Sequence, residues 1–157
     1  MYIGIDHGTT SLRFAADTGE YFKITREEAK EFTVQMLERL CPLDEIEGIA
    51  LCYSMGDNFT KITDVKKLKN RGVITRDGAG QHIGGGTKDE IAASGIPAVA
   101  FPGIHRGSDT DPRFKVYSHQ TSPEKLGIAY FVKQKLNEDT FVVSDISSNT
   151  VSLLVSK

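Results

Sequence analysis

Two short stretches at opposite ends of the chain share one pattern. Ile5-Asp6-His7-Gly8-Thr9-Thr10-Ser11 and Ser144-Asp145-Ile146-Ser147-Ser148-Asn149-Thr150 each follow an apolar strand run and carry an Asp where that run ends. Each turns through small hydroxyl residues and enters a second apolar run, Leu12 to Ala15 in one case and Val151 to Val155 in the other. Such a stretch is a β-hairpin. Its tip offers backbone N–H groups and hydroxyls to an anion, and its Asp can hold a hydrated cation. One copy is an ordinary turn. Two copies point to a phosphate clamped between related hairpins.

The rest of the composition sets limits. The chain has 157 residues, 39% hydrophobic and 25% charged, enough for one domain with a real core. A net charge of −2 argues against general nucleic-acid affinity. The basic run Lys66, Lys67, Lys69 and Arg71 reads as a solvated face. Cys41 and Cys52 form no CxxC pattern, so a reducing cytoplasm is the expected location. Met1 to Asp6 reaches a charge too soon for a signal peptide, and no apolar run has membrane-spanning length.

Along the chain, residues 2–6, 11–16 and 20–24 read as three strands joined by Gly8-Thr9-Thr10 and Asp17-Thr18-Gly19. Thr25 and Glu28 form a capping box, and Ala29, Phe32, Met36, Leu37 and Leu40 follow at helical spacing up to Pro42. Ile46 to Tyr53 is apolar on both faces, which predicts a central parallel strand. Residues 54–86 are rich in glycine and read as loop. Thr87 and Glu90 are a second capping box opening a short helix to Gly95, followed by a strand at 98–101. Residues 102–120 read as a long loop. Thr121 to Leu136 reads as a helix with Pro123 in its first turn, and 141–145 with 151–155 as a closing hairpin. The order βββαβαβα followed by ββ predicts an α/β fold, a mixed sheet covered by helices.

That order, with phosphate-hairpin signatures at both ends, resembles the ribonuclease-H-like actin-like ATPase and sugar or acyl kinase superfamily. There two subdomains face each other across a nucleotide cleft. A closer resemblance lies in Gly78-Ala79-Gly80-Gln81-His82-Ile83-Gly84-Gly85-Gly86-Thr87, Pro102-Gly103-Ile104-His105-Arg106, Ser118-His119-Gln120-Thr121-Ser122-Pro123-Glu124-Lys125 and Asp145-Ile146-Ser147-Ser148-Asn149-Thr150. These blocks are similar to the methanogenesis marker 12 family of methanogenic archaea. Its members are about twice as long, as a two-domain plan requires. The resemblance implies an N-terminal fragment, with residues 1–139 as one subdomain and 140–157 as a hairpin beginning a second.

Candidate site residues follow. Asp6 would orient Mg²⁺ through water, with Gly8, Thr9, Thr10 and Ser11 on the terminal phosphate; the plainer reading is an Asp bracing a turn. The resemblance makes Asp145 the second metal ligand, through water, with Ser147, Ser148, Asn149 and Thr150 as the second phosphate turn. Ser147 and Ser148 stand where glycines are usual, and their β-carbons would crowd a phosphate. Gly84, Gly85 and Gly86 before a helix can bind an anion through free N–H groups, lacking the P-loop lysine, or can be a plain turn. His105 and Arg106 form a candidate phosphate or carboxylate pocket, since Arg binds either group through paired hydrogen bonds. Asp111 and Arg113 read instead as a loop-stitching pair. His82, His105 and His119 lack zinc spacing. Asp57, after the central strand, is a candidate general base, substrate ligand or turn residue.

The expected cofactors are ATP and Mg, with no zinc, flavin or NAD. The expected function is ATP-dependent phosphoryl transfer to a small carboxylate or hydroxyl substrate by the longer protein, the chain alone being inactive. The alternatives are a non-catalytic nucleotide-sensing or assembly module serving methanogenesis, and a structural fragment without activity. No nucleic-acid or membrane partner is expected. The apolar strands at 141–155 suggest a homodimer through that hairpin.

Overall fold

The computed structural model describes residues 1–8, 10–52, 59–68, 83–116, 119–146 and 151–156. Strands β1 (Tyr2–His7), β2 (Ser11–Ala16) and β3 (Tyr21–Thr25) form an antiparallel meander. β4 (Gly48–Cys52) lies parallel to β1, as its two-sided apolar pattern predicts. Next come β5 (Thr63–Asp64), helix α1 (Ile83–Ser94) and β6 (Ala98–Phe101). β6 runs parallel to β4, and β5 pairs antiparallel at the edge. The resulting six-stranded mixed sheet has the order β3-β2-β1-β4-β6-β5. A short antiparallel ladder of β7 (Ile104–His105) and β8 (His119–Thr121) follows, within a stretch expected to be loop. Helix α2 (Pro123–Leu136) then leads to the antiparallel hairpin of β9 (Phe141–Ile146) and β10 (Val151–Ser156).

Period-two patterning places the core. Ile3 and Ile5, Leu12 and Phe14, Phe22 and Ile24, and Ile49 and Leu51 all point to one buried face. Phe14 sits at its centre, with its ring 4.5 Å from Phe22 and 5.6 Å from Phe32, both nearly parallel to it. The opposite face of β1–β3 carries Tyr2, Arg13, Tyr21 and Lys23 and is exposed, so the sheet is covered on one face there rather than on both.

The helix expected from Thr25 does not form. Its capping box does: the Thr25 N–H donates to Glu28 Oε2 at 2.6 Å and the Glu28 N–H to Thr25 Oγ1 at 3.2 Å. The chain then makes three short 3₁₀ turns, Glu28–Glu31, Val34–Arg39 and Leu43–Glu45. Phe32 and Thr33 are extended between the first two. Stacking of Phe32 on Phe14 pulls the backbone out of the helix, and the β-branched Thr33 and Val34 form helix poorly. Tertiary packing overrides local spacing here.

The two α-helices also start away from their expected positions. α1 begins at Ile83, so Gly84–Gly86 lie in its first turn rather than in a loop, and the buried Thr87 is a helix-interior residue rather than a cap. α2 begins at Pro123, whose fixed φ suits a first helical position. It ends at Asn137, which adopts the left-handed conformation (φ 53°) and donates its N–H to the Lys133 carbonyl at 2.9 Å. Among the described residues no helix is long and apolar enough to cross a membrane.

Candidate functional site

Asp6 is the penultimate residue of β1, at its carboxyl end. Register sets it opposite Arg13 on β2 and Cys52 on β4. Arg13 Nη1 donates to Asp6 Oδ2 at 2.7 Å. Arg26, immediately after β3, brings Nη1 to 3.2 Å from His7 Nδ1 and 3.3 Å from the Gly8 carbonyl oxygen. A β-carbon on Gly8 would meet Arg13 Nη1 and the Ser11 carbonyl oxygen at 3.0 Å each. Two guanidinium groups therefore flank Gly8 at the tip of the first hairpin. Thr10 is exposed and Ser11 half-buried beside them, while Thr9 lies outside the described residues. The Arg13–Asp6 pair is partly solvated, with Asp6 29% exposed, so it is worth about 0–1 kcal/mol and can rearrange.

The first turn of α2 completes this end of the molecule. It is held close by Gly103, where a β-carbon would lie 2.5 Å from the Thr121 carbonyl oxygen and 3.3 Å from Pro123 Cδ, so any larger residue pushes the helix away. Ser122 Oγ donates to Glu124. Burial, then the charges of Asp6 and Glu124, push the Cys52 thiol up to about 12. The charge of Glu124 thus reaches this thiol, and Cys52 is neutral and unreactive. The next residue, Lys125, pairs with Asp145 of β9. Lys125 is 12% exposed and Asp145 21% exposed. Removing one partner leaves the other charge partly desolvated and unpaired, which is unfavourable.

Other expected site residues are placed differently. His105 is buried: its Nε2 donates to the Phe59 carbonyl oxygen at 2.9 Å, and Nδ1 accepts the Gly107 N–H at 3.0 Å. Both ring nitrogens thus brace the loop, and Arg106 beside it is exposed. Asp111 and Arg113 form the expected stitching pair, 2.5 Å apart, with Arg113 holding the Asp111 carboxyl below its ordinary range. Asp57, Ser147, Ser148, Asn149 and Thr150 lie outside the described residues, as does His82. A shallow acidic groove lined by Asp17, Asp44, Glu45 and Glu47 sits at the amino end of β1, away from Asp6. There the Met1 amino group pairs with Glu47 at 2.9 Å.

Among the described residues no three His, Cys, Asp or Glu side chains are grouped to hold a metal directly. Asp6 and Asp145 each already carry a cationic partner. Carboxylates suit a hydrated Mg²⁺, and the guanidinium and ammonium groups beside them suit phosphate oxygens. Each carboxylate with its cationic partner is, taken separately, compatible with a metal–phosphate group rather than a bare ion. Sequence reading missed Arg13, Arg26, Glu124 and Lys125. Of these only Arg13 had a local signal, since a hairpin turning at Gly8-Thr9-Thr10 sets it across from Asp6.

No family model matches the chain, and no solved structure does. A UPF0285 protein of Methanosarcina mazei is 51% identical over 165 residues, covering 98% of this chain and 50% of that protein. One from Methanocaldococcus jannaschii is 48% identical, covering 98% of this chain and 49% of its own length. One from Methanococcus vannielii is 47% identical, covering 99% and 50%. Over nearly its whole length, then, the chain is homologous to the UPF0285 proteins of methanogenic archaea, and it spans about half the length of these relatives.

Proposed function

We propose that the first hairpin is the phosphate-holding element of one wall of a two-walled nucleotide cleft. The longer protein is then an ATP-dependent phosphotransferase or ATPase of the ribonuclease-H-like, actin-like superfamily, akin to the methanogenesis marker 12 proteins. Residues 1–139 supply the first subdomain, and the hairpin from residue 140 begins the second. The sheet order supports this reading, with an antiparallel meander followed by parallel β4 and β6. The observation that carries it is the pair of guanidinium groups around Gly8 beside Asp6. Arg13 and Arg26 converge on Gly8, and paired guanidinium groups suit the oxygens of a phosphate.

In that reading Arg13, Arg26 and the amides from Gly8 to Ser11 hold phosphate oxygens. Asp6 and Asp145 would hold a hydrated Mg²⁺, which when bound would neutralise developing charge. Positioning and electrostatics carry phosphoryl transfer, so the chain's work is to fix the phosphate and exclude water. Gly84–Gly86 and Arg106 are left for the small substrate, and Asp57 for the base. A non-catalytic nucleotide sensor is the second reading, and one observation favours it. Among the described residues, three groups able to act as a base are engaged: His7 with Arg26, Glu124 with Ser122, and Asp6 with Arg13.

Calorimetric binding of magnesium tripolyphosphate tests the hairpin. Arg26→Gln and Arg13→Gln should each weaken it about tenfold. Unchanged affinity in both variants would refute the phosphate assignment. The 157-residue chain alone should show no ATP turnover, because one wall cannot exclude water.

A further inference from the structure

We propose that Lys125 is an exchangeable counter-ion. It holds Asp145 in the absence of ligand and passes to a phosphate oxygen when a magnesium-complexed phosphate engages Asp145. The proposal rests on the phosphate reading above and assigns Lys125 a role that reading does not need.

Lys125 lies in the first turn of α2 and Asp145 on β9, 20 residues on. Both are largely shielded from water. An ammonium group so placed is favoured by an anion beside it, because partial desolvation without a partner is unfavourable. Mg²⁺ engaging Asp145 alone would leave Lys125 uncompensated. Mg²⁺ arriving with a phosphate brings the replacement anion. Metal and phosphate are therefore taken together, and free Mg²⁺ is discriminated against. Exchange at Lys125 also removes the ion pair that ties the hairpin to α2, so ligand state is transmitted to β9 and β10.

The test follows the Lys125 side-chain ammonium and the backbone amides by NMR in the isotope-labelled chain. Magnesium chloride, sodium pyrophosphate and magnesium pyrophosphate are added separately, at millimolar concentrations that capture weak binding. The Lys125 resonance should move with magnesium pyrophosphate at about a tenth of the concentration at which magnesium chloride alone moves it. Lys125→Met should weaken magnesium pyrophosphate binding about tenfold, and Lys125→Arg should restore most of it. Equal response to magnesium chloride alone overturns the proposal. So do shifts at Gly8, Thr10 and Ser11 with Lys125 unmoved, an outcome that leaves the phosphate reading standing. Silence at both the hairpin and Lys125 overturns both.

Discussion

Cys52 reports on the end of the sheet where Asp6 sits. Its thiol is pushed up to about 12 from the 9.0 of an exposed thiol, first by burial and then by Asp6 and Glu124. That gap corresponds to about 4 kcal/mol, at about 1.36 kcal/mol per pH unit. Cys52 is partly exposed, and solvent screening reduces the expected effect to about 2 kcal/mol. The sign follows from proton binding. Between pH 9 and about 12 the folded thiol keeps its proton while the unfolded one loses it, so stability is complete below pH 9 and falls through that window. Urea denaturation of the wild type and Cys52→Ala across that range isolates this contribution, because the other alkaline groups are common to both. The wild type should lose about 2 kcal/mol more than the variant. Asp6→Asn removes one of the two charges, so Cys52 should alkylate faster at moderately alkaline pH, as read peptide by peptide in the mass spectrometer. Parallel stability curves, with alkylation unchanged by Asp6→Asn, would refute the placement of Asp6 and Glu124 against this thiol.

Three further outcomes are expected. Phe14→Ala removes a fully buried ring that stacks on two others, and should lower unfolding free energy by about 3–5 kcal/mol in chemical denaturation. If the proposed phosphoryl-transfer reading holds for the longer protein, Asp6→Asn should cut Mg²⁺-dependent turnover far more than stability, since the amide keeps the shape and loses the charge; equal turnover reduces Asp6 to a turn brace. The outer face of the hairpin carries Val142, Ile146, Val151, Leu153 and Val155, each 65–77% exposed, so light scattering should show the chain dimerising and deletion of 141–157 should abolish it; a monomer at high micromolar concentration rejects that interface.

What the sequence alone determined is what short-range patterns encode. Alternation placed β1 to β3 within a residue, two-sided apolar character made β4 central, and α2 was expected from Thr121, two residues before its start at Pro123. The repeated hairpins at residues 5–11 and 144–150 were visible without coordinates. Tertiary structure decided the rest. Phe32 met Phe14 in the core and left 3₁₀ turns where spacing alone called for an α-helix, because burial of an aromatic ring outweighs helix propensities of a few tenths of a kcal/mol per residue. Gly84–Gly86 became helix because α1 starts earlier than its best local cap. The charge pairs at the candidate site depend on which strands end side by side and on where the first turn of α2 meets β9. Arg26 beside Gly8, Glu124 facing Cys52, and Lys125 on Asp145 join residues 18 or more positions apart. Local periodicity carries no record of such meetings, since a charged side chain's partner is set by register and crossover.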